Sequence, residues 1–195
     1  YFVVAIAIKE EPMTANTAMP AETAVFHPEQ RADHGYFRLW GTRGSIPVSG
    51  PNYARHGGNT SCMEIGCGAD RIIFDAGSGI RELGLSVMAE PPHKVHLFIT
   101  HTHWDHIQGF PFFVPSFVPG FAIDVYAPPN IDTDIESIFR GQLDRAYFPV
   151  QMEDMQAKFE FKVLGEETVQ IGDVKIDWEY TLHPGATVGY RIDIK

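Results

Sequence analysis

Four side chains that commonly bind metals lie within six consecutive residues: His101, His103, Asp105 and His106. In an extended segment, residues two apart project to the same side, so His101 and His103 can reach one ion together. Asp105 and His106 follow where the chain is expected to turn, which lets them reach a second ion. Imidazole and carboxylate ligands suit zinc, manganese or iron better than calcium or magnesium. The stretch therefore predicts a centre for transition-metal ions.

A buried strand is predicted directly before this stretch. Residues 95–99 are almost entirely apolar, which is typical of a strand covered on both faces. His96 interrupts the run, and we expect neither it nor His93 to be a metal ligand. Proteins of the α/β class commonly place their sites at the carboxyl ends of such strands. The ligand stretch therefore follows a predicted buried strand, as is common in α/β proteins.

Apolar patterning predicts further elements around this strand. A helix is expected over residues 78–90, and the capping-box pattern of Thr133 and Glu136 is expected to open a second helix. The aromatic-rich residues 110–117, together with Trp104, either pack in the core or form an apolar wall beside the metals. The remaining strands are predicted at residues 36–40, 60–65, 71–75, 121–126, 158–164 and 168–182, with a turn at Gly172 in the last.

The spacing His101-x-His103-x-Asp105-His106 resembles the signature of the metallo-β-lactamase superfamily of hydrolases. Four other segments are similar to the ribonuclease Z-like and phosphodiesterase branch of that superfamily. They are 41–47 (GTRGSIP), 57–61 (GGNTS), 74–79 (FDAGSG) and 183–185 (HPG). The resemblance extends from about residue 36 to the last residue. It implies an αββα sandwich, in which two sheets face each other with helices outside.

The resemblance also implies roles for particular residues. It makes His183 the third ligand of a first metal, beside His101 and His103. Three protein ligands with an open position for water are the usual pattern of catalytic zinc. It makes Asp105 a ligand of a second metal and the catalytic group that orients or deprotonates the attacking water. Two divalent ions are therefore expected, with zinc favoured and manganese or iron as alternatives.

Three further residues are candidates for supporting roles. Asp75 follows a predicted strand, where it either orients a ligand histidine or caps the next helix. The resemblance favours a supporting position over direct metal ligation for Asp75. Arg43 and His56 lie in a glycine-rich loop, and either could contact a substrate phosphate. A solvated loop residue is the favoured interpretation for both.

The composition limits the partners. The chain has 195 residues and a formal net charge of −10, which argues against general nucleic-acid binding, because that depends on Lys and Arg at phosphates. A small-molecule or phosphodiester substrate remains compatible, since bound dications would reverse the local charge. The two cysteines fit reduced cytosolic thiols, although a Cys62–Cys67 bridge stays open. We expect a cytoplasmic protein with no membrane span, and homo-oligomer formation is left open.

Two regions are predicted along the chain. Residues 1–35 are expected to form an N-terminal extension or linker, and residues 36–195 a metallo-β-lactamase-like hydrolase domain. In the superfamily, a bridging aspartate and a last histidine follow the strand that corresponds to residues 188–192. The chain ends at Lys195 without either, so we expect the C-terminal part of the fold to be missing.

The favoured function is metal-dependent hydrolysis of a phosphodiester by a metal-activated water. The first alternative is that the same fold hydrolyses a lactone, a thioester or a β-lactam. The second alternative is a non-catalytic domain that binds a metal for structure. A tRNA-processing activity is less favoured, because the chain is acidic and shows no basic arm.

Overall fold

A computed structural model describes residues 36–67, 70–89, 94–129, 131 and 133–194. The predicted extension 1–35 lies outside this part of the chain, as does His93. The first sheet contains β1 (Tyr36–Gly41), β2 (Cys62–Cys67), β3 (Asp70–Phe74), β4 (Lys94–Phe98), β5 (Ala122–Ala127) and β6 (Lys158–Val163). The second contains β7 (Val169–Ile171), β8 (Val174–Tyr180) and β9 (Val188–Ile194). The helices are α1 (Ile80–Val87), α2 (Trp104–Ile107) and α3 (Ile135–Gln142).

The metal-ligand stretch, residues 101–106, lies at the carboxyl ends of the parallel strands of the first sheet. Its strands lie in the order β1-β2-β3-β4-β5-β6, with β3 to β6 parallel to one another. Parallel strands end at the same edge, so the residues that follow β3, β4 and β5 meet there. β1, β2 and β3 are antiparallel, as are all three strands of the second sheet. The predicted strands and the two longer predicted helices are confirmed.

Each face of the first sheet packs against a different layer. Ile73, Leu97 and Ile123 point towards α1 and α3, where they meet Leu83 and Phe139. The opposite face packs on the second sheet through a cluster of rings: Phe74, Phe98, Tyr126 and Tyr190. Burial of each such side chain contributes about 1.5–3 kcal/mol. Three of the four layers expected of an αββα sandwich are thus present in the described residues.

The start of α3 differs from the prediction by one residue. Asp134, not Thr133, is the N-cap, and its carboxylate accepts a hydrogen bond from the backbone N–H of Ser137 at 2.8 Å. Glu136 does not close a capping box; its carboxylate pairs with Arg140 one turn later at 2.8 Å. A carboxylate at the N-cap also interacts favourably with the helix dipole, which explains why Asp134 displaces its neighbour.

The aromatic-rich residues divide between the two interpretations left open by the sequence. Phe110 and Phe113 are completely buried in the core beneath the sheet. Phe112 is 54% exposed and Trp104 is 65% exposed. The core interpretation therefore holds for the first pair. For the exposed Trp104, the apolar wall stays a prediction.

A buried ionic cluster lies at the start of the parallel strands. His96 is buried, with Nδ1 3.4 Å from the Tyr126 hydroxyl and 3.8 Å from Asp124. Asp124 also pairs with Lys94 and Lys162 at 2.9 and 2.7 Å. Burial lowers the pKa of His96 against the opposing charge of Asp124. The fold therefore favours the neutral imidazole.

This arrangement predicts a pH-dependent stability. The pKa of His96 is lower in the folded chain, so its contribution is fully present above about pH 6.5 and is lost as the pH falls below that value. We expect the free energy of unfolding to decrease between pH 7 and 5, and less so in His96→Gln. Urea denaturation of both proteins at several pH values, with chelator present, measures this difference. Equal pH slopes would contradict it.

Candidate metal centre

His101 and His103 project from the extended segment that leaves β4. Their rings lie 4.6 Å apart between centroids, and His103 has the extended backbone angles φ −64° and ψ 149°. His101 is buried, whereas His103 is exposed to solvent. The pair thus lines the carboxyl edge of the first sheet, with one imidazole facing inward and the other at the surface.

A turn between β8 and β9 brings His183 to the same place. The turn is closed by the N–H of Thr181, which donates to the carbonyl of Thr187 at 2.9 Å. The N–H of Val188 then donates to the carbonyl of Thr100 at 3.0 Å, which ties this turn to the residue before His101. Gly185 has φ 82°, a left-handed conformation that glycine adopts without strain. As a result, His183 Nε2 lies 3.2 Å from His103 Nδ1.

The three imidazoles fit a single metal ion. One nitrogen atom from each of His101, His103 and His183 lies within 4.8 Å of the others. Nitrogen atoms around one tetrahedral zinc are about 3.3 Å apart, given zinc–nitrogen bonds of about 2.0–2.1 Å, so binding an ion would draw the nitrogens closer by about 1.5 Å or less. Burial, then the neighbouring histidines, lowers the pKa of His101 to about 4. Its imidazole is therefore neutral near pH 7, which is the form that binds metals.

Asp105 and His106 lie beside this cluster, on the first turn of α2. His106 Nε2 is 3.6 Å from Asp105 Oδ2, and the rings of His106 and His101 are 4.1 Å apart. The two residues therefore adjoin the first cluster from the side of His101. This arrangement is compatible with a second ion next to the first, as the sequence predicts.

Asp75 supports His106 and does not cap a helix. Its carboxylate is completely buried and accepts a hydrogen bond from His106 Nδ1 at 2.6 Å. It also accepts from the Thr100 backbone N–H at 2.9 Å and from the Ser61 hydroxyl at 3.0 Å. The N-cap of α1 is Gly79, without a side-chain bond. Of the two alternatives for Asp75, the geometry favours orientation of a histidine.

The contact with Asp75 fixes which nitrogen of His106 is available. With Nδ1 occupied by the carboxylate, Nε2 is the atom left to face Asp105 and a metal. Burial lowers the pKa of His106, but the hydrogen bond and charge of Asp75, with the charge of Asp105, raise it overall. A cation would therefore compete with a proton at Nε2.

The loop after β1 reaches the same site through a backbone group. The N–H of Ser45 donates to Asp105 Oδ2 at 2.7 Å. Burial would raise the pKa of Asp105, but the Ser45 N–H and the charge of His106 hold it below its usual range. The carboxylate is thus kept ionised, which is the form that can bind a metal or accept a proton.

Close backbone packing behind the site constrains the same region. A side chain at Gly77 would place its Cβ 2.3 Å from the carbonyl oxygen of Asp105 and 2.5 Å from Thr60 Oγ1. Only glycine therefore allows the segment after β3 to approach α2 this closely. The approach brings Asp75 and the metal-ligand stretch together.

Neither of the two loop candidates, Arg43 and His56, lines the small cavity beside the histidine cluster. Arg43 Nε donates to the carbonyl of Ile46 at 3.2 Å, and its guanidinium lies 4.8 Å over the Tyr53 ring. His56 is exposed on the same loop and, among the described residues, is not part of the group formed by His101, His103 and His183. A small cavity of about 110 Å³ adjoins the cluster and is lined by His101, Thr102, His103, Ile131, Pro184, Gly185 and Ala186.

The chain folds into two facing sheets, with a cluster of histidines that could hold a metal ion at the carboxyl end of the first sheet. This combination of fold and site defines its class. The sequence profile of the beta-lactamase superfamily domain matches residues 70–195, well over half of the chain. The chain therefore belongs to this family. Within the described residues, no helix is long and apolar enough to cross a membrane.

Curated relatives of this chain include several named ribonuclease Z. The protein from Haloarcula marismortui is 25% identical over 160 residues, which cover 78% of this chain and 45% of the relative. The protein from Methanocaldococcus jannaschii is 28% identical over 109 residues, which cover 53% and 34% respectively. The chain thus spans less than half the length of these relatives.

Solved structures show the same fold. Human short-form tRNase Z superposes with a TM-score of 0.58 at 15% identity, covering 82% of this chain and 64% of that one. A diphosphatase from the PhnP family superposes with a TM-score of 0.57 at 17% identity, covering 82% and 62%. At these identities the likeness concerns the fold, and it confirms the metallo-β-lactamase-like sandwich predicted from the sequence.

Proposed function

We propose that this chain is the metal-binding part of a hydrolase that cleaves phosphodiester bonds. The cluster of His101, His103 and His183, with Asp105 and His106 beside it, carries this proposal. Relatives named ribonuclease Z and the fold shared with a diphosphatase support phosphorus–oxygen bonds as the target. The described residues supply three candidate ligands for a first ion and two for a second.

The chemistry follows from the donor set. Divalent ions bound here would supply an activated water with a pKa of about 7 and positive charge for the phosphoryl oxygens. His101, His103 and His183 would hold the first ion as neutral ligands. Asp105 and His106 would contribute to the second. Asp75 orients the His106 ring by accepting the proton of Nδ1.

Asp105 is the group that we propose to handle the proton of the attacking water. Its carboxylate is held ionised by the Ser45 N–H and the charge of His106, beside the histidine cluster. An ionised carboxylate within reach of a water can orient it and accept its proton. Proton transfer from a water to Asp105 requires no run of basic residues, which agrees with the net charge of −10.

The net negative charge of the chain favours a small substrate over a long nucleic acid. Extended nucleic-acid contacts need several Lys or Arg residues along the phosphate backbone. The chain has 15 of these against 25 Asp and Glu, so a compact phosphodiester is the better fit. A ribonuclease activity would require basic surface from outside this chain segment.

Asp105→Asn in the intact protein tests the proposal. Zinc- or manganese-loaded wild type should hydrolyse bis(p-nitrophenyl) phosphate, with kcat lowered about 100-fold or more in the variant. Asp173→Asn, at an exposed turn between β7 and β8, is the matched control and should leave kcat unchanged. A wild type that cleaves lactones or thioesters but no phosphodiester would overturn the choice of bond. Equal rates for Asp105→Asn and wild type would overturn the role of Asp105.

A further inference from the structure

We infer that Arg43 is a positioning residue that shapes the loop whose Ser45 N–H holds Asp105. This inference rests on the proposed function, because it concerns the group proposed to handle the water proton. It assigns Arg43 a role different from the phosphate contact considered from the sequence. The contacts on both sides of Ser45 carry the argument.

Ser45 reaches Asp105 only through an unusual backbone conformation. Its φ is 73°, in the left-handed region that residues other than glycine rarely adopt. In this conformation its N–H points at Asp105 Oδ2, at a distance of 2.7 Å. Such backbone strain persists only where the surrounding structure enforces it. The loop must therefore contain contacts that hold Ser45 in place.

Backbone hydrogen bonds fix the two sides of the loop. The N–H of Arg43 donates to the carbonyl of Asn59 at 3.0 Å, and that of Val48 donates to the carbonyl of Gly58 at 3.0 Å. A Cβ at Gly58 would lie 1.7 Å from the carbonyl oxygen of Val48, so the two sides leave no room for a side chain at position 58. Ser45 lies at the tip between these two fixed points.

The Arg43 side chain completes the enclosure of Ser45. Its Nε donates to the carbonyl of Ile46 at 3.2 Å, which links the residue two before Ser45 to the residue immediately after it. The guanidinium lies over the Tyr53 ring, 4.8 Å from the centroid, on the later part of the loop. The planar side chain thus joins three points of the loop and restricts rotation around Ser45.

Arginine suits this task better than lysine. A guanidinium can donate in its plane while its face packs on an aromatic ring, and an ammonium has no such plane. A substrate phosphate would need mainly the positive charge, which lysine retains. Arg43→Lys therefore distinguishes the positioning role from a phosphate contact.

Amide hydrogen exchange at Ser45 tests the inference without substrate or metal. In intact metal-free wild type we expect a protected Ser45 amide with a downfield proton shift, as for a donor to a carboxylate. Arg43→Ala and Arg43→Lys should each accelerate exchange of this amide by about 10-fold or more, because the loop opens locally. Tyr53→Leu should act in the same direction. Arg55→Ala, an exposed arginine on the same loop, is the charge-matched control and should have no effect.

Kinetics of the metal-loaded variants separate the roles further. If Arg43 positions the loop, kcat should fall in Arg43→Ala and should be restored only slightly in Arg43→Lys. The KM of both variants should change by less than about 2-fold. An unchanged Ser45 amide in Arg43→Ala, or a raised KM that lysine restores, would overturn the inference in favour of a phosphate contact. If wild type shows no phosphodiesterase activity, the exchange result still decides whether Arg43 holds the loop.

Discussion

His103→Ala is expected to weaken zinc binding by at least about 1,000-fold and to abolish measurable hydrolysis. His103 is one of three imidazoles whose nitrogens lie within 4.8 Å of one another, so its loss leaves two ligands from the cluster. Catalytic zinc sites normally need three protein ligands. Because His103 is exposed, its removal should change the unfolding free energy of the metal-free chain by less than about 0.5 kcal/mol. Competition titration with a chromophoric chelator measures the affinity.

A matched histidine variant makes this result specific. His56→Ala removes an exposed imidazole that lies outside the cluster, so zinc affinity should stay within about 2-fold of wild type. If His103→Ala retained wild-type zinc affinity, the three-histidine site would be wrong. If both variants lost affinity equally, zinc would be binding to surface imidazoles in general.

Asp75→Asn is expected to destabilise the metal-free fold by about 2–4 kcal/mol, because it removes the charge from a buried hub of hydrogen bonds. Asp75 accepts from His106, Ser61 and both the N–H and hydroxyl of Thr100. In asparagine an amide NH₂ group replaces one carboxylate oxygen. This group donates hydrogen bonds, so it would face other donors that have lost their acceptor. Asparagine tolerates the φ of 63° found at this position, so backbone strain does not contribute to the change in unfolding free energy. Urea denaturation in the presence of chelator measures the effect.

The same variant is expected to lower metal affinity by about 10–100-fold, because His106 loses the partner that orients its ring. Asp173→Asn at an exposed turn serves as the control and should leave both quantities unchanged. A fully stable Asp75→Asn protein would mean that the buried hydrogen bonds are replaceable. Normal metal affinity in a folded variant would mean that His106 is oriented by other groups.

The local part of the site could be predicted from sequence because its ligands are close in the chain. The spacing from His101 to His106 and the apolar run before it are sufficient to place them at a strand end. His183 is 80 residues from His103, and only the family resemblance predicts that it joins the cluster. Its approach depends on the hydrogen bond between Val188 and Thr100, which no local pattern encodes.

Contacts made by backbone groups were missed for the same reason. The Ser45 N–H that binds Asp105 has no side-chain signature, and a left-handed serine is not predicted by local propensity. Thr100 offered a weak signal, as a polar residue at the end of an apolar strand. The sequence predicts a solvated loop residue or a phosphate contact for Arg43, whereas its Nε donates to the carbonyl of Ile46.

The metal content of the purified intact protein tests the central claim most directly. Elemental analysis after zinc loading and removal of free metal should give about one equivalent or more per chain. The His103→Ala protein, treated identically, should lose the ion held by His101, His103 and His183. About two equivalents in wild type would also support the second ion at Asp105 and His106. A folded wild type that retains less than about 0.1 equivalent would contradict the three-histidine metal centre.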